Sequence, residues 1–372
     1  MPSKDLHDKP FDQGTLAKLE IFEDYAQAWI PTWVMASVRN IYIFDFFAGT
    51  GLDKNGVPGS PIRILQKIKE QISIIKRKKV CVHLYFNEYD LKKFQKLKVA
   101  CSNFLIQNPE VESGINLTLL NDDFEAIFQS HFNLIKAFPS LVFLDQNGIK
   151  FLTLEYIQQF GSIRSTDFLY FVSSSSFLRF GKAPEFKKYF DFDLNAAKKD
   201  PYNFIHRHLI NQIKQKLNSN SRLKLYPYTI KKRNNVYGLI FGATHPIAVD
   251  KFLNISWKRN EINGEADFDL DEDAAKSQLN LFETKKLTKI EKFRSLVQEN
   301  VLAGKITDNF ELYSFTLGQG HVGKHAATEI RALKENKKID YVGVSPLVNY
   351  DNVHRKKKRV VFKVLKKWAS QK

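Results

Sequence analysis

IYIFDFFAGTG, residues 41–51, carries an apolar run to Asp45 and then breaks into Gly49-Thr50-Gly51. A strand feeding a glycine turn brings backbone close to a ligand, because glycine alone lets the chain turn there without a side chain in the way. The surrounding chain repeats the pattern. Apolar runs at 80–90, 115–124, 140–148, 166–178 and 236–243 alternate with stretches at helical spacing, among them TLAKLEIFEDYAQAWIPTWV (15–34) and the segment opening at Ser60-Pro61. Strands alternating with helices indicate βαβ units and a parallel sheet. The runs are apolar throughout rather than alternating, as expected of strands covered by helices on both faces. The fold class this predicts is α/β, a doubly wound Rossmann-like sheet.

Organisation follows from composition. Residues 1–260 form the α/β domain, with the polar, aromatic and lysine-rich stretch 180–234 read as an insertion at the ligand-binding rim. EINGEADFDLDED (261–273) holds seven acids and no base, and 261–282 reads as a solvated linker. From 283 to 372 an amphipathic helix is followed by helix, glycine-bearing turn and helix, then by two candidate strands, IDYVGVS and RVVFKVLKKW. Three helices with a two-stranded wing is the winged variant of helix-turn-helix, so a winged-helix-type domain is expected at the C-terminal end.

Charge points to a partner. The 372 residues hold 57 Lys and Arg against 40 Asp and Glu, a net charge of +17, which favours nucleic acid. Lys324, His325 and Arg331 on the second helix of the turn motif, and Arg355, Lys356, Lys357, Lys358 and Arg359 before the last strand, are the candidate contacts. Two cysteines, Cys81 and Cys101, are too few for a disulfide framework or a cysteine-built zinc site. No apolar run is long enough to span a membrane, so a cytoplasmic protein with no membrane partner is expected.

Three ligands compete for the glycine turn. A P-loop needs Lys-Ser/Thr after its final glycine, and Leu52-Asp53 stand there. A dinucleotide fingerprint needs glycine or alanine at position 54, which is Lys54. The remaining reading is an S-adenosylmethionine site, in which acids end successive strands: Asp45 facing a cationic ligand, Glu88 for ribose hydroxyls, Asp122 and Asp123 near adenine. Gly49 and Gly51 give the backbone access. Asp145-Gln146-Asn147-Gly148 closes the fourth strand, and Asp145 and Asn147 are the candidate catalytic residues: Asp145 as a hydrogen-bond acceptor for the target, with recognition of a base edge as the alternative role of Gln146 and Asn147.

On FDFFAGTGLDKNGVPGSPIRIL, LYFNEYD, NDDF, VFLDQNG, YGLIFGATHPIAVDKFLNISWK and ELYSFTLGQGHVGKHAATEIRALKENKKI, the chain resembles the three-Cys-motif partner proteins, a bacterial family called TcmP. FAGTG followed by Gly59-Ser60-Pro61 is the most specific part. The resemblance implies a methyltransferase-like domain, a helical C-terminal domain and a partner with three cysteines that looks like a radical-S-adenosylmethionine enzyme. By position it assigns Asp45, Gly49, Gly51, Glu88 and Asp122 to the cofactor. The family's Asp-Pro-Phe-Gly is replaced by the DQNG turn, which frees the turn of its proline and changes the acceptors at that strand end. Two functions are therefore expected: a methyltransferase acting on nucleic acid, or a catalytically inactive nucleic-acid-binding scaffold in antiphage defence.

Overall fold

A computed structural model describes residues 10–146, 154–173, 201–218, 220–232, 235–276 and 287–365. The chain divides into two compact units, 1–248 and 249–372.

The first unit is built on a seven-stranded sheet. In chain order its elements are α1 (Gln13–Val34), β1 (Asn40–Asp45), α2 (Ser60–Lys78), β2 (Cys81–Asn87), α3 (Leu91–Gln107), β3 (Ile115–Leu120), α4 (Phe124–Ala137), β4 (Ser140–Leu144), α5 (Leu154–Gly161), β5 (Thr166–Ser173), α6 (Pro201–Lys216), β6 (Lys224–Lys232) and β7 (Asn235–Ala243). The strand order is β3-β2-β1-β4-β5-β7-β6. β1 to β5 run parallel, and β7 lies antiparallel between β5 and β6. This is a mixed α/β architecture with a Rossmann-like, mostly parallel central sheet. The order reverses between β1 and β4, so the crevice beyond the carboxyl ends of those two strands is the topological switch point where open α/β sheets bind ligands.

Local sequence explains the elements. β1 and β4 are buried along nearly their whole length, which accounts for their unbroken apolar runs. α1 is capped by Asp12, whose carboxylate accepts from Thr15 N at 2.9 Å, and Phe22 on its buried face stacks on Phe143 of β4 with centroids 4.1 Å apart. α2 begins only at Ser60, with Pro61 in its first turn. The glycine turn therefore leads into a loop, which Asp53 organises by accepting from the backbone N–H groups of Phe11, Asn55 and Val57, each at 2.8 Å.

Two expectations change. The described part of 180–234 is not a rim insertion, because β6 extends the central sheet and α6 packs on it through Leu209, Ile210 and Ile213. Pro227 disguises β6; the strand tolerates it because β6 is an edge. The acidic stretch 261–273 is not a solvated linker. Asn263, Ala266 and Asp273 are buried, Asp273 accepts from Lys289 N at 2.8 Å, and Lys289 Nζ reaches Glu265 at 2.7 Å.

The second unit holds most of α7 (Pro246–Arg259), the short α8 (Asp273–Lys276), α9 (Lys289–Leu302), α10 (Asn309–Gly318), α11 (Gly323–Glu335), β8 (Ile339–Asp340) and β9 (Lys363–Val364). β8 and β9 pair antiparallel, and Val361 bridges to Asp308 on the other side, so the last segment is held along both edges. Phe293, Val297, Leu312, Leu317, Ile330 and Leu333 form the core between the three helices. Among the described residues no helix is long and apolar enough to cross a membrane.

Candidate functional site

Four of the acids singled out in the sequence stand at one edge of the sheet, because β1 to β4 run parallel. Asp45 ends β1, Glu88 follows β2, Asp122 follows β3 and Asp145 follows β4. The sheet register places Asp45 beside Phe86 on one side and Phe143 on the other.

Asp45 is fully buried. Its carboxyl accepts from Ser60 Oγ at 2.6 Å and Phe47 N at 3.1 Å. Burial pushes its pKa up to about 7 against those two hydrogen bonds, with Asp145 adding to the rise and Lys18 opposing it. No cation is paired with it among the described residues. A buried acid lacking a counter-ion fits a ligand that brings positive charge.

Glu88 closes the glycine turn. Oε2 accepts from Gly49 N at 3.0 Å and Oε1 from Asp90 N at 2.9 Å, and burial raises its pKa. Each oxygen keeps a lone pair, so hydroxyl donors can still be accepted. Gly49 and Gly51 both have positive φ. A Cβ on Gly51 would lie 2.9 Å from that of Ala100, so the turn is shaped by backbone and by α3 together.

The two acids that follow β3 differ. Asp122 is exposed and accepts from Asp123 N at 2.8 Å. Asp123 is the cap of α4, accepting from Glu125 N at 2.8 Å, which explains its place without a ligand. Asn87, missed in the sequence, is buried and joins three strand ends: its amide donates to Phe46 O at 3.2 Å and Asp122 O at 3.1 Å, and its Oδ1 accepts from Asp122 N. A polar residue closing an otherwise apolar strand was the available signal.

The largest departure concerns Asp145. Its Oδ2 is bonded to Lys18 Nζ, and the Lys18 ammonium sits 4.3 Å from the centroid of the Phe171 ring on β5. Lys18 is buried, with 6% exposure. Asp145 is thus already matched by a cation through Oδ2. The signal in the sequence was a lysine on the buried stripe of α1, one turn before Phe22. Gln146 is buried and donates to Tyr170 OH at 3.2 Å. Asn147 lies outside the described residues.

In the second unit, Lys324 and Arg331 share the exposed stripe of α11 with Thr328. His325 does not. It packs edge-on against Trp257 with centroids 4.5 Å apart, its Nδ1 lies 3.1 Å from that of His321, and burial pulls its pKa down to about 4. Helical period puts it with Ala326 and Ile330 on the core side, so it is a packing residue rather than a nucleic-acid contact. Arg355, Lys356, Lys357, Lys358 and Arg359 are all exposed. Lys356 is paired with Asp351 at 2.5 Å and Arg359 with Asp308 at 3.1 Å.

No protein-family model matches the chain, and no curated protein matches it. Among solved structures, the O-methyltransferase TomG from Streptomyces achromogenes, involved in tomaymycin synthesis and in complex with SAM, is similar at 9% identity with a TM-score of 0.30. The likeness covers 63% of this chain and 90% of that one. At that identity and score it carries no argument about activity.

Proposed function

We propose that the chain is an S-adenosylmethionine-dependent methyltransferase-like protein acting on or with nucleic acid, alongside a three-Cys-motif partner of the kind its sequence resemblance implies. The observation that carries this reading is the uncompensated buried carboxyl of Asp45, beside Glu88 at the switch-point edge. A ligand with a sulfonium and an ammonium supplies the missing charge, and ribose hydroxyls suit Glu88. Bound there, the cofactor supplies an electrophilic methyl group. The chain's part is orientation: Gly49 and Gly51 admit the ligand, Asp45 and Glu88 fix its ends, and Ser60 holds the Asp45 carboxyl in place. The basic second unit, read as a winged-helix type, provides affinity for phosphate through Lys324, Arg331 and the 355–359 run.

Calorimetric titration of S-adenosylmethionine and S-adenosylhomocysteine into the wild type, Asp45→Ala and Glu88→Ala tests the reading. Binding to the wild type that both variants lose supports it. No binding, with and without the partner protein, overturns it. A second reading is a nucleic-acid-binding scaffold without catalysis in antiphage defence, favoured by the DQNG turn and by the Lys18 cation on Asp145. Methyl incorporation into RNA or DNA that vanishes on Asp45→Ala excludes that alternative.

A further inference from the structure

The Lys18–Asp145 pair stands at the switch-point crevice, at the end of the strand next to β1 and within electrostatic reach of Asp45. Its sign is informative. A nitrogen acceptor gains positive charge as it is methylated, and needs carbonyl or carboxylate acceptors around it. A buried ammonium has only donors and no lone pair to offer such a nitrogen. A hydroxyl acceptor moves the other way: its oxygen turns alkoxide-like as the proton leaves, and an ammonium in a desolvated site stabilises it. Lys18 is not a surface lysine free in water: it is buried, with its ammonium over the Phe171 ring.

We infer that the methyl acceptor is a hydroxyl oxygen held by Lys18, and that Lys18 is a catalytic residue of the proposed transferase; this rests on the reading of the site as a methyltransferase. Within nucleic acid, internal hydroxyls exist only on ribose, so the substrate class is RNA and the product a ribose ether. In the step, the acceptor oxygen forms the C–O bond as the methyl C–S bond breaks, and the electron pair of that bond goes to sulfur. Lys18 donates a hydrogen bond to the acceptor oxygen throughout. Lys18 engages Oδ2 of Asp145, and Oδ1 takes the hydroxyl proton and passes it to water. Asp145 keeps a role, but as the acceptor of a hydroxyl proton beside a cation rather than the holder of an amine.

The test uses the full chain, with its partner if one is required, methyl-labelled S-adenosylmethionine, and separate total RNA and genomic DNA. Nucleic acid is digested to nucleosides and the label located by mass spectrometry. The expected result is label on ribose in RNA and none in DNA. Lys18→Met lowers transfer by roughly 10²-fold or more, Lys18→Arg retains more of it than Lys18→Met does, and calorimetric cofactor affinity changes less than about threefold in either. A binding readout separates this from a structural role: with S-adenosylhomocysteine present, the wild type prefers an all-ribo oligonucleotide over its 2′-deoxy counterpart, and Lys18→Met loses that preference. Lys18→Met/Asp145→Asn, which leaves no unpaired charge, controls for folding. Label on a base, or cofactor binding with no transfer to RNA, overturns the inference and leaves the cofactor reading standing. Absence of cofactor binding overturns both.

Discussion

Replacing Asp45 by Asn should make the protein more stable at pH 8 and leave it nearly unchanged at pH 4.5. Asp45 is wholly buried, and its carboxyl sits at about 7 against an ordinary 3.8. Between those values the folded chain holds a proton that the unfolded chain has released. Stability therefore falls as pH rises from about 4 to about 7 and is level above. At 1.36 kcal/mol per pH unit the loss attributable to this carboxyl is at most about 4 kcal/mol. Asparagine keeps the N–H bond from Phe47 and exchanges the Ser60 contact for one of opposite polarity, at a cost of about 1 kcal/mol. Urea denaturation from pH 4.5 to pH 8 measures the difference between wild type and variant. Asp167 must be controlled, since it too is buried and pushed up to about 7, with Tyr25 OH donating to it at 2.7 Å. Asp167→Asn provides a second curve in the same direction. The decisive quantity is wild type minus Asp45→Asn: if that difference is flat with pH, Asp45 is already ionised at neutrality and the argument for a cationic ligand collapses.

Other perturbations probe separate parts. Gly51→Ala should destabilise by about 1–3 kcal/mol and weaken ligand binding, because φ is +78° and the new Cβ meets Ala100 at 2.9 Å; thermal melts with and without S-adenosylmethionine report both effects. Lys357→Glu/Lys358→Glu should weaken RNA and DNA binding and flatten the slope of log affinity against log salt by about one per lost phosphate contact. An unchanged slope removes the basic run from the interface. His325→Ala should cost about 1–3 kcal/mol through its lost packing on Trp257, with affinity per folded molecule intact, as read by fluorescence anisotropy at a temperature where the variant stays folded.

The sheet was legible because buried parallel strands leave unbroken apolar runs: β2 to β5 fall within the stretches read as strands, and β1 and β7 begin one residue before theirs. β6 was hidden because KLYPYTIKK has lysines at its ends and a proline inside, all tolerable only on an edge, and edge position is a property of the assembled sheet. The acids at the strand ends were legible for the same reason as the strands: each follows directly on an apolar run. What surrounds them was not. Asp123 looks like a neighbour of Asp122 until the start of α4 makes it a cap. His325 looks available until helical phase turns it onto Trp257. The acidic stretch 261–273 looks solvated until Lys289, remote in sequence, is placed against Glu265.

Asp45 and Asp145 carry the same group at neighbouring strand ends, and the fold treats them in opposite ways. Ser60 and Phe47 serve Asp45 with neutral donors and no cation is paired with it among the described residues, so burial favours its protonated form. Lys18, delivered by α1, matches Asp145 with a full cation. If both acids merely held the sheet edge together, a neutral hydrogen-bonded residue at either position would be the cheaper solution, since an isolated buried charge is costly and a buried pair repays its desolvation poorly. One site lacking a cation beside one that already holds it is instead the division of charge expected where a cationic donor meets an acceptor turning anionic. The two variants separate these accounts. Asp45→Asn should abolish ligand binding while stabilising the empty protein at pH 8, whereas Lys18→Met should spare ligand binding and abolish the consequences of it. Loss of both properties in both variants would mean that the two acids are one structural unit, and the division of labour argued for the site would fail.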